Sequence, residues 1–237
     1  MIISGAGISA ESGVPTFRDS DGLWCNHRVE DVATYTAWEK NPKLVQDFYN
    51  ERRKQVLSVE PNAAHFAITE LQNHFNVQVI TQNVDDLHER AGNTNVLHLH
   101  GNIRYAKSSN PDLAWAGMSA TVFEEHYLIL GDTINYPEDT APDGFPLRPD
   151  IVWFGEAVPA IIDASEIVKT ADIIIVVGTS LQVYPAASLV YDAKNWVPIY
   201  YIDPNPGDIT IANEVNYIKE KASVGFDKIK ETLISLK

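Results

Sequence analysis

Apolar residues occur along this chain in short runs that alternate with segments of helical spacing. The runs are rich in β-branched side chains and end at glycine or polar residues, a pattern typical of strands in a buried sheet. The predicted strands cover residues 1–3, 77–81, 96–101, 173–177 and 198–203. The run at 173–177 is apolar throughout, which predicts a central parallel strand.

Between these runs, apolar residues recur three and four positions apart, which predicts helices. The predicted helices cover residues 36–58 as one or two helices, 63–75, 87–91, 160–170, 186–193 and 223–236. Asn62 directly precedes the second segment and is placed to cap it. This alternation predicts an α/β fold, a doubly wound Rossmann-like parallel sheet with helices on both faces.

Two segments interrupt the alternation. Residues 14–34 contain Pro15 and Gly22, which break helices, and predict a long loop. Residues 102–149 lose their periodicity and contain repeated prolines, which predicts an irregular insertion held by packing. The candidate packing residues are Trp115, Phe123, Tyr127, Leu128 and Tyr136. We therefore expect a Rossmann-like domain formed by residues 1–34, 62–101 and 150–237, with residues 35–61 and 102–149 as a small inserted module.

Composition narrows the function classes. The chain has 237 residues, 45% of them apolar, and a formal net charge of −14 from 32 acidic and 18 basic side chains. This charge repels phosphate backbones and anionic membranes, so we expect no direct nucleic-acid or membrane partner. No stretch reaches the ~18 to 20 apolar residues of a membrane span, and we expect a cytoplasmic protein. The single cysteine, Cys25, excludes an intramolecular disulfide and a cysteine-built zinc site.

Glycines and polar residues follow several predicted strands. Gly5, Gly7 and Ala10 have the spacing of a dinucleotide-binding turn, although an ordinary strand-to-helix turn explains this spacing equally well. Ligands bind doubly wound sheets at the carboxyl ends of the strands. Those ends carry residues 5–7, 82–85, 100–101, 178–180 and 203–205, and we expect all five segments to line one crevice.

Taken together, these segments resemble the sirtuin family of NAD-dependent protein lysine deacylases. The resemblance rests on Gly-Ala-Gly-Ile-Ser at 5–9 with Pro-Thr-Phe-Arg at 15–18, Thr-Gln-Asn-Val-Asp at 81–85, Leu-His-Gly at 99–101, Pro-Asp-Ile-Val-Trp-Phe-Gly-Glu at 149–156 and Gly-Thr-Ser at 178–180. The motifs occur in family order across about the whole chain.

The resemblance implies that NAD is the cofactor and implies roles for individual residues. The residues that would contact NAD are Gly5, Ala6, Gly7, Glu11, Phe17, Arg18, Gln82, Gly178, Thr179, Ser180, Asn205 and Ala222. Asn83 and Asp85 would form the nicotinamide pocket, and His100 would be the general base that takes a proton from a ribose hydroxyl. His100 and Asn83 are therefore the candidate catalytic residues, whereas His98 is expected to be an ordinary hydrogen-bonded or exposed histidine.

The resemblance also implies the substrate side of the site. Val152, Phe154, Gly155 and Glu156, with the segment 183–184 that contains Tyr184 opposite, would clamp an acyl-lysine protein or peptide as an added strand. The products would be the free lysine, nicotinamide and 2′-O-acyl-ADP-ribose.

Tyr49 and Arg52 bear on the acyl group. If residues 44–56 are helical, the two side chains share a face, and spacing alone favours a solvated arginine beside a core tyrosine. The resemblance reverses this preference, because the succinyl- and malonyl-lysine-removing subgroup of sirtuins carries this Tyr-x-x-Arg pair and a small residue where Ala33 stands. It implies that Arg52 and Tyr49 hold an acyl carboxylate.

The chain departs from the family pattern in two places. Relatives usually have a few more residues before the first strand, so we expect a truncated or late-start form with a weaker first strand. Relatives also usually carry two cysteine pairs that bind structural zinc, and residues 102–149 contain no cysteine, so we expect no zinc and no other metal. We expect a monomer. Two alternatives stay open: mono-ADP-ribosyl transfer, and an NAD-sensing module whose catalysis has decayed.

Overall fold

A computed structural model describes residues 1–16, 23–114 and 125–235 of the chain. The strands are β1 Ile2–Ser4, β2 Leu23–Trp24, β3 His27–Arg28, β4 Val79–Thr81, β5 Val96–His98, β6 Gly101–Ser108, β7 Tyr127–Leu128, β8 Leu147–Ile151, β9 Ile174–Val177, β10 Ile199–Ile202 and β11 Val215–Ile218. The helices are α1 Gly7–Ala10, α2 Val29–Val32, α3 Tyr35–Lys40, α4 Pro42–Ser58, α5 Ala63–Leu71, α6 Leu87–Arg90, α7 Pro111–Ala114, α8 Ile161–Lys169, the 3₁₀ helix Ala186–Asp192, and α9 Ala222–Ser235.

Six strands form a parallel sheet in the order β11-β10-β9-β1-β4-β5. Strand β1 lies inside the sheet, where Ile3 pairs with Ile80 on one side and Val176 on the other. All residues of β1, β4 and β9 are buried, because helices cover both faces of the sheet. The predicted α/β fold with a central strand at 173–177 is confirmed.

Alternate residues of each strand enter two different cores. Ile174 and Val176 pack with α8 and the 3₁₀ helix, whereas Ile175 and Val177 pack with α5 and α9. This alternation follows from the two-residue period of a strand. The two cores fix the sheet between its helical layers and hold the carboxyl ends of β1, β4, β9 and β10 at one edge.

Asparagine side chains cap the N-termini of helices α4 and α5. The Asn41 side chain accepts a hydrogen bond from the N–H of Leu44 at the start of α4, and Pro42 occupies the first turn. Asn62 caps α5 as predicted, and the imidazole of His65 accepts the N–H of Asn62 in return. The predicted region 36–58 contains two helices, α3 and α4.

The insertion is more ordered than predicted. Strands β7, β6 and β8 form a three-stranded antiparallel sheet, so the expectation of an irregular segment over residues 102–149 is wrong for residues 102–108, 127–128 and 147–149. The pattern was hidden because this sheet is only partly covered and its register shifts between Gly101 and Ala106. In the predicted loop 14–34, the described part contains the hairpin β2–β3 and helix α2.

The packing predicted for the insertion is partly wrong. Tyr136 packs edge-to-face against Trp38 with ring centres 5.5 Å apart, but Leu128 is 53% exposed. Trp115 and Phe123 lie outside the described residues. Among the helices of the described segments, none is long and apolar enough to cross a membrane.

Candidate active site

A cavity of about 660 Å³ opens at the carboxyl ends of the parallel strands. The residues implied for NAD that line it are Gly5, Ala6, Gly7, Glu11, Gln82, Asn83, Gly178, Thr179, Ser180, Asn205 and Ala222. The lining also includes His100 and the residues implied for the substrate at 152, 154–156 and 183–184. The structure thus brings both predicted groups into one cavity, whose volume is typical of ligand and cofactor sites. Phe17 and Arg18 lie outside the described residues.

Two glycine turns form the floor of this cavity. A Cβ atom at Gly7 would lie 2.7 Å from the Cα atom of Gly178, and one at Gly178 would lie 2.3 Å from the backbone nitrogen of Ile8. Gly178 also has a φ of 63°, which disfavours residues with a side chain. The turns after β1 and β9 therefore pack backbone against backbone, and both require glycine.

A buried hydrogen-bond chain follows β4. The Asn83 side-chain amide donates to the Ser9 hydroxyl over 3.0 Å, and this hydroxyl donates to the Asp85 carboxylate over 2.9 Å. The N–H of Leu87 also donates to Asp85. Burial raises the pKa of Asp85, although the bonds from Ser9 and Leu87 oppose this shift. Asp85 does not line the cavity itself but orients Asn83, which does, through Ser9.

His100 lies two residues after the end of β5. Its Nδ1 atom is 3.0 Å from the carbonyl oxygen of Gln82, so Nδ1 carries the proton and donates it. This leaves Nε2 as the nitrogen that can accept a proton. Burial lowers the pKa of His100 below the ordinary value of 6.5, while the bond to Gln82 opposes the shift. The imidazole is therefore neutral near pH 7, as a general base must be.

His98 has partners on both ring nitrogens. Nδ1 lies 2.9 Å from the carbonyl oxygen of Asn83, and Nε2 lies 2.7 Å from the Glu89 carboxylate. Burial disfavours its charged form, but the hydrogen bond and charge of Glu89 together raise the pKa of His98. The expectation of a hydrogen-bonded histidine is confirmed. The Glu89 carboxylate pairs with His98, and the Asp86 carboxylate pairs with Arg104 over 2.8 Å.

The segment after β8 forms the opposite wall. The N–H of Val152 donates to the carbonyl oxygen of His100, and the N–H of Phe154 donates to that of Ala33. The Glu156 carboxylate accepts bonds from Arg148 over 2.7 Å and from the N–H of Trp153 over 2.8 Å. Glu156 therefore closes a turn of the wall, while the Phe154 side chain is 47% exposed.

The Tyr49–Arg52 pair lies behind the cavity and, like Ala33, does not line it. Tyr49 is 1% exposed and accepts a hydrogen bond from the indole nitrogen of Trp153 over 3.0 Å. The Arg52 guanidinium lies over the Phe48 ring at 5.3 Å, and its buried Nε has no hydrogen-bond partner among the described residues. Trp153 and Trp24, which contacts Tyr49 edge-to-face, separate the pair from the open cavity.

Glu11 and Ala222 lie at the other end of the cavity. The Glu11 carboxylate accepts bonds from the N–H of Ser223 over 3.0 Å and from its hydroxyl over 2.7 Å. Glu11 therefore caps the first turn of α9, where negative charge is favourable. Asn205 follows β10, and its N–H donates to the Asp203 carboxylate.

Comparisons with known proteins agree with this geometry. The family model described as "Sir2 family" matches residues 5–185. The chain belongs to the Sir2 family. A Helicobacter pylori protein named "NAD-dependent protein deacylase" is 48% identical over 237 residues, which are 100% of this chain and 97% of the relative. A solved Sir2 homolog–NAD complex is 37% identical with a TM-score of 0.84, covering 100% of this chain and 90% of that one. A structure described as "Sir2 bound to acetylated peptide" is 25% identical with a TM-score of 0.73, covering 98% and 91%.

In this Sir2-family chain, hydrogen bonds connect the ends of the insertion. The Ser108 hydroxyl donates to the Asp143 carboxylate over 2.7 Å, and the Asn110 amide donates to the same oxygen. Within residues 1–16, 23–114 and 125–235, no group of three or more His, Cys, Asp or Glu side chains could hold a metal ion.

Sequence reasoning assigned no role to Ser9, Trp24 or Trp153 in the site. Ser9 and Trp153 are part of the Gly-Ala-Gly-Ile-Ser and Pro-Asp-Ile-Val-Trp-Phe-Gly-Glu motifs, so the motifs themselves carried a signal. Trp24 lies within the predicted loop 14–34, and its place beside Tyr49 arises from tertiary packing.

Proposed function

We propose that this chain is an NAD-dependent protein lysine deacylase. The observation that carries the proposal is the state of His100, a neutral imidazole in the cavity whose Nδ1 is held on Gln82 and whose Nε2 is left to accept a proton. A general base of this kind acts when its nitrogen reaches the hydroxyl to be deprotonated. The relatives named as NAD-dependent deacylases support the same conclusion.

The NAD side of the cavity fits a dinucleotide. The two glycine turns place backbone close to the cavity, and the Gln82 amide lies between them, bonded to the Thr179 hydroxyl over 3.1 Å. Bound NAD would supply the ribose that receives the acyl group, with nicotinamide as leaving group. We assign Asn83 to the nicotinamide end, because its amide is oriented by Ser9 and Asp85. Glu11, Asn205 and Ala222 then lie toward the adenosine end.

The acyl-lysine segment enters between the exposed rings of Phe154 and Tyr184. Tyr184 is 70% exposed, and both residues line the cavity mouth. Exposed aromatic side chains at a cleft are typical of a peptide-binding surface. A lysine side chain entering there reaches the wall formed by residues 152–153 and approaches His100, whose carbonyl is bonded to Val152.

The finer proposal is that acidic acyl groups, succinyl and malonyl, are removed in preference to acetyl or as well as it. Arg52 is half-buried beside Phe48 without an ion pair or hydrogen bond among the described residues. A buried guanidinium nitrogen without a partner is costly, and an acyl carboxylate would satisfy it. Tyr49 accepts from Trp153, so its own hydroxyl proton remains to be donated. Movement of the Trp24 and Trp153 rings would open the pair to the cavity.

Mass spectrometry of an NAD reaction with acetyl, succinyl and malonyl peptides tests the general proposal. We expect free lysine peptide, nicotinamide and 2′-O-acyl-ADP-ribose. Peptides that gain ADP-ribose instead would show ribosyl transfer, and no reaction with any acyl peptide would contradict the deacylase.

Kinetics of the Arg52→Met variant test the finer proposal. A hydrogen bond to a charged group contributes about 1.5 to 3 kcal/mol, so succinyl-lysine kcat/KM should fall about ten- to hundredfold, with acetyl-lysine turnover unchanged. Lys54→Met is the matched control, because Lys54 is on the same helix and pairs with Glu51 at the surface. A parallel loss of both activities, or an acetyl preference in both enzymes, would return Arg52 to an ordinary helix arginine.

A further inference from the structure

Tyr201 lies in the middle of β10 between β9 and β11, and its side chain is fully buried. Its ring belongs to the apolar core on the face of α8 and the 3₁₀ helix. Its hydroxyl, however, reaches the edge of the sheet where the cavity opens. There it donates to the carbonyl oxygen of Thr179 over 2.8 Å and accepts the N–H of Gly207 over 3.0 Å.

This one hydroxyl connects two turns that line the cavity. Thr179 belongs to the turn after β9, and Gly207 follows the turn that contains Asn205 after β10. The two turns are also in close contact, since a Cβ atom at Gly207 would lie 2.4 Å from the carbonyl oxygen of Ser180. Glycine therefore permits the approach, and the Tyr201 hydroxyl fixes it.

The bond to Thr179 extends into the centre of the site. The Thr179 hydroxyl accepts from the Gln82 amide over 3.1 Å, and the carbonyl oxygen of Gln82 accepts from His100 over 3.0 Å. Tyr201 itself is absent from the residues that line the cavity. Its hydroxyl can affect a ligand only through the turns that it holds.

We propose that Tyr201 is a positioning residue for NAD, a role that rests on the proposed function of the cavity. Its hydroxyl holds the Thr179 and Gly207 turns in the arrangement that binds the adenosine half of the dinucleotide. Without it, two backbone groups lose their partner, and the turns must be ordered when the ligand binds. The loss falls on NAD affinity rather than on the chemical step, because the contacts of His100 remain.

Tyr201→Phe tests this role, because it keeps the ring in the core and removes the hydroxyl alone. Tyr200→Phe is the matched control: Tyr200 precedes Tyr201 on the opposite face of β10, and its hydroxyl has no hydrogen-bond partner among the described residues. We expect the Kd of ADP-ribose and the KM of NAD to rise about tenfold or more in Tyr201→Phe, because the substitution removes both hydrogen bonds of this hydroxyl. The kcat at saturating NAD and the KM of the acyl peptide should stay at the wild-type values, and Tyr200→Phe should match wild type in every measurement.

Amide hydrogen exchange of the unliganded proteins gives a readout that is independent of activity. We expect faster exchange in residues 178–182 and 203–209 of Tyr201→Phe and unchanged exchange in β1 and β4. Unchanged ADP-ribose affinity, or an equal loss of kcat and NAD affinity with faster exchange throughout the sheet, would overturn the proposal and leave Tyr201 a core residue. Failure of the variant to fold would overturn it equally. If the wild-type protein itself does not bind ADP-ribose, the proposed function fails first.

Discussion

The Nδ1 atom of His98 lies 2.9 Å from the carbonyl oxygen of Asn83, one residue along from the carbonyl of Gln82 that holds His100. Both imidazoles are therefore fixed in the same way to the segment after β4. They differ at the other nitrogen, which faces Glu89 in His98 and accepts no hydrogen bond in His100 among the described residues. The same backbone segment thus supports one structural and one reactive histidine.

Substitution of the two histidines should separate these roles. We expect His100→Ala to lower turnover about 10²- to 10⁴-fold, the contribution of a general base, with ADP-ribose affinity kept. His98→Gln should lower turnover less than about tenfold, since it weakens the hydrogen bond to the Asn83 carbonyl oxygen and the contact with Glu89 without removing the base. Steady-state kinetics and ADP-ribose titration measure both effects. Equal activity of the two variants would remove His100 from the proposed mechanism.

The pH dependence of activity should follow the lowered pKa of His100. Because burial favours the neutral ring and lowers the pKa of His100, kcat/KM should hold its plateau to a lower pH than an ordinary imidazole allows. A profile of kcat/KM between pH 5 and 8 measures the midpoint of the acid limb. A midpoint above 6.5 would be the opposite of this expectation.

The buried histidines His65 and His88 should make the fold sensitive to acid. Burial lowers the pKa of His65 to about 4 and holds that of His88 well below 6.5. Below pH 6.5 the unfolded chain therefore binds protons that the folded chain does not, so the free energy of unfolding falls as the pH falls. Each histidine contributes about 1.4 kcal/mol per pH unit in this range. The raised pKa of His98 acts above pH 6.5 instead, where the folded chain binds a proton that the unfolded chain does not.

Urea unfolding at pH 7, 6 and 5 measures this slope. His88→Gln should flatten it, because one buried group with a lowered pKa is removed. A slope that is the same in wild type and His88→Gln would show that other groups dominate the acid response.

The strands that could be predicted from sequence are those whose residues are buried on both faces of the sheet. The residues of β9 and β1 are buried on both faces, so a run of apolar residues in the sequence predicts these strands. Strand β11 is an edge strand with half-exposed residues, and its Val-Asn-Tyr-Ile sequence has no such pattern. The sheet β7-β6-β8 was not predicted for the same reason, because β6 and β7 contain partly exposed residues.

The candidate site shows a similar division. The glycine turns and His100 belong to short motifs whose spacing survives in the sequence, so they could be named from it. Ser9 and Tyr201 act through hydrogen bonds to residues 76 and 22 positions away, and only the packing of the sheet brings these partners together. Trp196 is a large aromatic residue and yet is 79% exposed beside Lys194, which sequence alone could not show.

The absence of zinc remains a prediction. Hydrogen bonds from Ser108 and Asn110 to Asp143 join the two ends of the insertion, where a metal would otherwise have to connect them. We expect EDTA to leave the thermal midpoint of tag-free protein unchanged, and Asp143→Ala to lower it by loss of these bonds. Stoichiometric zinc in elemental analysis, with unfolding on chelation, would contradict the prediction.

The buried ion pair Arg148–Glu156 should couple stability to peptide binding. The Arg148 side chain is 2% exposed, lies 4.1 Å from the centre of the Trp153 ring and donates to Glu156 over 2.7 Å. Removing one partner of such a pair leaves a buried charge and costs about 3 to 5 kcal/mol, whereas removing both costs less. We therefore expect Glu156→Gln to reduce the free energy of unfolding strongly, and the double variant Arg148→Met, Glu156→Gln to recover much of the loss.

The acyl-peptide KM should rank these variants differently from the free energy of unfolding. The carboxylate of Glu156 also holds the N–H of Trp153, and a glutamine oxygen can still accept that bond but cannot neutralise Arg148. In Glu156→Gln, Arg148 becomes a buried charge without a counterion against the Trp153 ring, so the acyl-peptide KM should rise. Arg148→Met, Glu156→Gln removes that charge and should restore both the KM and the stability. Glu156→Ala removes the acceptor as well. The double variant Arg148→Met, Glu156→Ala should therefore regain stability but keep a raised acyl-peptide KM, because the turn of residues 153–156 is no longer closed. Urea unfolding and peptide kinetics on the four proteins measure the two effects. If Arg148→Met, Glu156→Ala binds peptide like wild type, the Glu156 bond to Trp153 does not shape the substrate wall.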